Sequence, residues 1–79
     1  IIKDKLELTP ELDLADIFSK IKKTFANERI NETDGLKIDF EAGWVHMRLS
    51  NTEPIVRIYC EAGDPETALM LINKVKSVI

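Results

Sequence analysis

Leu14, Ile17, Phe18, Ile21 and Phe25 recur three and four residues apart, and Asp16, Lys20, Lys22, Lys23 and Glu28 fill the positions between them. That period predicts an amphipathic helix over roughly residues 13 to 27, with Asp13 as its N-cap. Before it, Lys5 to Leu8 reads as a short strand ended by Thr9-Pro10. From Arg29 onward the period changes to two. Leu36, Ile38 and Phe40 alternate with Lys37, Asp39 and Glu41, and Val45, Met47 and Leu49 alternate with Trp44, His46 and Arg48. Val56, Ile58, Cys60 and Ala62 alternate with Ile55, Arg57, Tyr59 and Glu61 in the same way. A weaker strand, Arg29 to Glu32, precedes a turn at Asp34-Gly35. Asp64-Pro65-Glu66 combines a capping carboxylate, a proline suited to the first helical position and an acid in the first turn. It opens a second helix whose buried stripe is Ala68, Leu71, Ile72, Val75 and Ile79. The predicted order is β-α-β4-α, in one domain over residues 1–79. The fold class is α+β, a four-stranded antiparallel sheet with two helices on one face and the other face open.

Alternation also constrains register. A two-residue Ala42-Gly43 hairpin with Gly43 at positive φ pairs Glu41 with Trp44, Phe40 with Val45, Ile38 with Met47 and Leu36 with Leu49. In the next connection, pairing Leu49 with Val56, Met47 with Ile58 and Val45 with Cys60 keeps both apolar sets on the core side. That pairing sets Arg48 directly across from Arg57 on the open face, at the mouth of the loop Ser50-Asn51-Thr52-Glu53-Pro54-Ile55. Like charges directly opposite on a sheet are destabilising, so the pair calls for a cause. One cause is an anion: two guanidinium forks beside the hydroxyls of Ser50 and Thr52, the amide of Asn51 and several backbone N–H groups make a phosphate cradle. The other reading is structural, with both arginines turned to solvent or paired with Asp39, Glu53 or Glu61, and Ser-Asn-Thr a polar turn.

Composition narrows the classes of function. The 79 residues carry 11 Lys and Arg against 14 Asp and Glu, a net charge of −3, which disfavours nonspecific phosphate-backbone binding and hence nucleic acid as a partner. Gly35, Gly43 and Gly63 are too far apart for a dinucleotide-binding or Walker loop. Apolar runs of a few residues rule out a membrane-spanning helix, so no membrane partner is expected, and Ile1-Ile2-Lys3-Asp4 lacks the order of a signal peptide. Cys60 is the single cysteine. No internal disulfide or cysteine-based metal cluster can form, and a reducing, cytoplasmic home is expected. A chain opening at Ile1 is expected to be a piece of a longer protein, with part of its function in the parent.

The run Arg48-Leu49-Ser50-Asn51-Thr52-Glu53-Pro54-Ile55-Val56-Arg57 resembles the C-terminal phosphate-binding signature of the α-D-phosphohexomutase family, R-x-S-[N/G]-T-E-P followed by an apolar pair and Arg. Asp34-Gly35-Leu36-Lys37-Ile38-Asp39-Phe40 and Gly43-Trp44 are similar to the phosphomannomutase/phosphoglucomutase members, and Asn51 resembles that branch. Leu49 departs from a frequent proline; on the core side, leucine would fill the same space. The resemblance covers essentially the whole chain as the family's fourth, C-terminal domain. It implies a TATA-binding-protein-like fold and an enzyme that interconverts hexose 1-phosphate and hexose 6-phosphate through a hexose bisphosphate intermediate. The other domains of the parent enzyme would supply a phosphoserine, a Mg²⁺ site and the sugar-recognising loop, so this domain itself needs no cofactor and no catalytic residue is assigned in it. By the same resemblance, Arg48, Ser50, Asn51, Thr52 and Arg57 would hold the phosphate not being transferred and help close the active site.

The remaining candidates carry blander expectations. His46 reads as a surface histidine packed on a neighbour such as Asp39, and no metal site is expected at a lone histidine. Trp44 is expected to meet another domain or seal an edge, and Cys60 to be a buried, inert thiol. Glu53 is expected to brace the arginines or the loop. A stand-alone nucleic-acid module using the sheet face is a different reading of helices behind an open sheet, but it needs two or three stacking aromatics on a basic surface, whereas the open face offers Tyr59 and Trp44 among acids in a chain of net charge −3. A protein-interaction domain indifferent to phosphate is the third.

Overall fold

Asp13 and Asp64 set where the two helices begin. In the computed structural model, which describes residues 1–79, the Asp13 carboxylate accepts the Ala15 N–H at 3.0 Å and α1 runs Leu14–Thr24. Asp64 accepts the Thr67 N–H at 2.7 Å and the Thr67 hydroxyl at 3.0 Å, and Pro65, which has no N–H to satisfy, begins α2 at Pro65–Lys76. Helix α1 is shorter than its apolar period suggests. The Phe25 N–H still donates to the Ile21 carbonyl, but the chain then turns through a Glu28-to-Phe25 backbone bond to enter the sheet.

The sheet has five strands, not four: β1 Ile2–Glu7, β2 Arg29–Asn31, β3 Leu36–Asp39, β4 Gly43–Leu49 and β5 Ile55–Ala62, in the antiparallel order β1-β5-β4-β3-β2. The N-terminal segment starts earlier than Lys5 and closes the otherwise bare edge of β5, with Ile2 opposite Cys60 and Leu6 opposite Val56. Asp4 disguises this strand in the sequence because it occupies the helix-side position between Ile2 and Leu6. There it pairs with Lys76 of α2 at 3.0 Å, tying the first strand to the last helix.

The β3–β4 register differs from the expected one by two residues. Leu36 faces Met47, Ile38 faces Val45 and Asp39 faces Trp44. Phe40 and Gly43 exchange backbone hydrogen bonds, which makes Glu41-Ala42 the loop. Gly43 therefore does not need positive φ; Gly35, at φ 71°, is the only residue that has it. Gly43 serves a different purpose, since a Cβ there would lie 2.1 Å from the Glu61 carbonyl oxygen of β5.

Both helices lie on one face of the sheet. Ile17, Ile21 and Phe25 of the α1 region and Ala68, Leu71, Ile72 and Val75 of α2 join Leu36, Ile38, Val45, Met47, Val56, Ile58 and Cys60 in one core. No charged or nitrogen- or oxygen-bearing side chain is buried, so no such group is left without a partner in the core. Leu49 has core-side parity but, as the last residue of β4, is 50% exposed although Val56 opposite it is fully buried; it does not fill the core. Ile55 shows the converse: alternation assigns it to the open face, yet it is only 6% exposed.

The cap and the strand-to-helix tie carry a pH dependence. Hydrogen bonds from the Thr67 backbone and hydroxyl hold the Asp64 carboxyl below its ordinary 3.8, and the Lys5 N–H, with Lys76, does the same for Asp4. Depressed folded-state values mean that these two contributions are fully present above the unfolded value near 3.8 and are lost as pH falls through the lower folded ones. The urea midpoint should therefore fall between pH 5 and about pH 3, and Asp4→Asn/Asp64→Asn should show a shallower fall. An equal fall in both proteins would show that these carboxylates are not the source.

Candidate anion site

Strands β4 and β5 pair as alternation requires, with Leu49 opposite Val56, Met47 opposite Ile58 and Arg48 opposite Arg57. The two guanidinium groups thus start from facing backbone positions on the uncovered side of the sheet. The Ser50 N–H donates to the Ile55 carbonyl at 2.9 Å, closing the loop between the strands. The Leu8 N–H donates to the Pro54 carbonyl at 2.8 Å, anchoring the loop to the segment after β1. Within the loop the Thr52 N–H donates to Ser50 Oγ at 3.3 Å, and the two hydroxyls lie 3.4 Å apart. The N–H groups of Asn51 and Glu53 have no protein acceptor, nor does the Asn51 side chain.

Arg48, Ser50, Asn51, Thr52 and Arg57, all five of the expected residues, line one open cleft of about 280 Å³ with Leu49 and Tyr59. Its lining is donor-rich: two guanidiniums, the three hydroxyls of Ser50, Thr52 and Tyr59, a carboxamide and free backbone N–H groups. No carboxylate lines it. Such a set suits a tetrahedral oxyanion, which accepts several hydrogen bonds at once and is favoured by charge-assisted ones.

The arginines are not equivalent. Arg48 Nε lies 3.4 Å from Asp34 Oδ2, an ion pair whose side chains are 53% and 63% exposed and which accordingly contributes little to stability. None of the anticipated partners is used: Asp39 pairs with Lys37 at 3.5 Å, Glu61 accepts the Trp44 indole N–H at 3.2 Å, and Glu53 pairs with neither arginine. Arg57 has no carboxylate partner and sits between Arg48 on one side and Lys5 of β1 on the other. Arg57→Ala should therefore leave the fold as stable or raise its stability by about a few tenths of a kcal/mol. Arg48→Ala should show no such gain, because it also removes the Asp34 pair. Urea denaturation of both variants would distinguish the two; a clear loss on removing Arg57 would contradict the repulsion.

His46 does not pack on Asp39. Its Nε2 is hydrogen-bonded to the backbone carbonyl of Asp34, so this one residue engages His46 through its carbonyl and Arg48 through its carboxylate. Trp44 lies under Lys37, with Nζ 5.1 Å from the ring centroid, and this leaves Tyr59 as the aromatic side chain lining the cleft. Cys60 is buried and donates its S–H to the Ala68 carbonyl at 3.3 Å; burial pushes its thiol pKa up, so it is a core residue. No cluster of three or more His, Cys, Asp or Glu side chains is placed to hold a metal ion, and no helix is long and apolar enough to cross a membrane.

Two features of the site, Asp34 and Lys5, are not legible in the sequence. Asp34 is missed because the expected β3–β4 register places the Asp34-Gly35 turn beside residue 50 rather than beside Arg48. Lys5 is missed as a neighbour of the cleft because alternation does not reveal that β1 pairs with β5, whereas Tyr59, an open-face aromatic able to stack on a ligand, does line the cleft.

The sequence model of the family described as "Phosphoglucomutase/phosphomannomutase, C-terminal domain" matches residues 6–76. Among curated proteins, the phosphoglucosamine/phosphogalactosamine mutase of Sulfurisphaera tokodaii is 35% identical over all of this chain and 18% of its own length. The phosphomannomutase of Methanocaldococcus jannaschii is 36% identical over 80% of this chain and 14% of its own. The phosphoglucomutase/phosphomannomutase of Thermococcus kodakarensis is 55% identical over 51% of this chain and 9% of its own. The chain thus spans less than a fifth of the length of these relatives.

Proposed function

Because the chain belongs to the phosphoglucomutase/phosphomannomutase C-terminal domain family, we infer that its open sheet face holds the non-transferred phosphate of a hexose phosphate while other domains of a larger mutase move the second phosphoryl group. The observation that carries this reading is the opposition of Arg48 and Arg57 at a loop that keeps hydroxyls and backbone N–H groups free of carboxylates. Arg48 and Arg57 supply the charge, Ser50 and Thr52 the hydroxyls, and Asn51 the carboxamide. A phosphate anchored this way fixes the sugar's orientation, and the binding energy from that remote group supports positioning at the reacting centre. A sugar phosphorylated at either end presents the same group to the cradle, which suits a hexose 1-phosphate, a hexose 6-phosphate and the bisphosphate between them.

The chemistry itself belongs to the parent enzyme. The Mg²⁺ expected there would assist phosphoryl transfer from a site on the other domains. The preferred hexose is not written in the cradle, which contacts only the phosphate. The names of the relatives span glucosamine, galactosamine, mannose and glucose, and Asn51 alone does not choose among them. A cytoplasmic setting accords with the single buried thiol.

An NMR titration of the chain with glucose 6-phosphate tests the reading. Binding should be weak, on the order of mM, since one open cleft leaves most of the ligand in water. Amide shifts should concentrate at Arg48–Thr52 and Arg57. Shifts centred on α1 and α2, or none at tens of millimolar ligand, would overturn it. The same preparation should show no mutase activity in a coupled assay; turnover by the 79 residues alone would contradict the division of labour.

A further inference from the structure

The cross-strand row that contains Arg48 and Arg57 does not end at Arg57. Strand β1 pairs with the far side of β5, and its register puts Lys5 directly opposite Arg57, so one row across the sheet reads Lys5, Arg57, Arg48. Lys3 and Lys5 share the open-face parity of β1, and both are exposed. Neither has a carboxylate within 4.0 Å, and neither does Arg57; the ion pairs of the chain are Lys22–Glu32, Lys37–Asp39, Arg48–Asp34 and Lys76–Asp4. Asp4, the acid nearest in sequence, is turned to the helix side by Lys76.

A second shallow cleft, lined by Lys3, Asp4, Lys5 and Arg57, adjoins the first, and Arg57 belongs to both. Three directly adjacent cations, Lys5, Arg57 and Arg48, of which only Arg48 has a carboxylate partner, the exposed Asp34, cost stability in the empty chain. A phosphate monoester bears close to two negative charges and three peripheral oxygens, so two arginines do not exhaust its accepting capacity.

We propose that Lys5 is the third cation of the anion site, contacting the phosphate monoester from the β1 side of Arg57 and completing the cradle across three strands. This rests on the reading of the Arg48–Arg57 cleft as a phosphate site. Lys5 adds a point charge on a flexible stem where the arginines add fixed forks, so it should supply affinity more than orientation. A hydrophobic or acidic residue at position 5 would leave the strand pairing intact and weaken the site.

Chemical-shift titrations with inorganic phosphate and with glucose 6-phosphate decide the question for wild type, Lys5→Gln, Lys5→Arg, Arg57→Ala and Lys23→Gln. Lys23 is exposed on α1, on the other side of the sheet, and controls for the loss of one positive charge. Lys5→Gln should raise Kd for both ligands about threefold to tenfold, with Lys5→Arg near wild type and Lys23→Gln unchanged within about 1.5-fold. If Arg57→Ala weakens binding while Lys5→Gln binds as wild type does, the cradle stands and the third cation is refuted. Equal weakening by Lys5→Gln and Lys23→Gln would reduce Lys5 to a contributor of net charge, also refuting it. No binding by wild type would overturn the phosphate site itself, and Lys5 with it.

Discussion

Gly35→Ala is expected to lower the melting temperature by 10 °C or more. Gly35 occupies left-handed backbone space at φ 71°, and a Cβ built on it would lie 2.2 Å from the Met47 carbonyl oxygen and 3.2 Å from Arg48 Cγ. The conformational penalty for a non-glycine residue there is about 1 kcal/mol, and forcing backbone apart in a packed strand pair adds roughly 1–3 kcal/mol. A domain of this size has a total stability of only about 4–12 kcal/mol, and each kcal/mol is worth roughly 4–8 °C. The clash falls on the strand that carries Arg48, so any surviving folded protein should also bind phosphate more weakly. Gly63→Ala supplies the contrast, because a Cβ there meets nothing within 4 Å and φ is not positive, and it should melt close to wild type. A shift under 2 °C for Gly35→Ala would mean that the Asp34-Gly35 turn is not held as described.

The largest functional effect should come from Arg57→Ala in the full-length enzyme. Arg57 borders both clefts, lies between two cations and has no carboxylate partner, so truncating it breaks no internal ion pair and, on the proposed function, removes a contact to phosphate. Loss of a charge-assisted hydrogen bond to phosphate costs roughly 1.5–3 kcal/mol, or about 10- to 150-fold in kcat/KM. The loss should be similar for hexose 1-phosphate and hexose 6-phosphate, since each offers its non-reacting end to the same cradle. Loss for one substrate only would mean that Arg57 reads the sugar's orientation rather than its phosphate.

Why Arg48–Arg57 was legible and other parts of the site were not comes down to the period of a strand. Side chains repeat every two residues, so alternation decides which face a residue occupies and rejects any slip by one. It cannot reject a slip by two. The pairings Ile38–Met47 and Ile38–Val45 both keep apolar residues inside, and only the turn distinguishes them. There the sequence misleads, because Gly43 resembles a positive-φ turn residue although its glycine is required by the close approach of Glu61 across the sheet. That two-residue shift hid the Asp34–Arg48 pair. The first strand is legible only from Lys5 onward, and its place beside β5 is not: Asp4 interrupts the apolar alternation of β1, and its partner Lys76 is 72 residues away, beyond any local pattern. The helices were the most legible elements, because both caps are local hydrogen bonds to residues two or three positions on.

The measurement closest to the central claim is the thermal unfolding of wild type, Arg48→Ala and Arg57→Ala with and without tens of millimolar phosphate. An anion that binds the folded chain alone stabilises it in proportion to its affinity. Phosphate should raise the melting temperature of wild type and raise that of either variant distinctly less. An equal rise in all three proteins would contradict the assignment of the site to the two arginines.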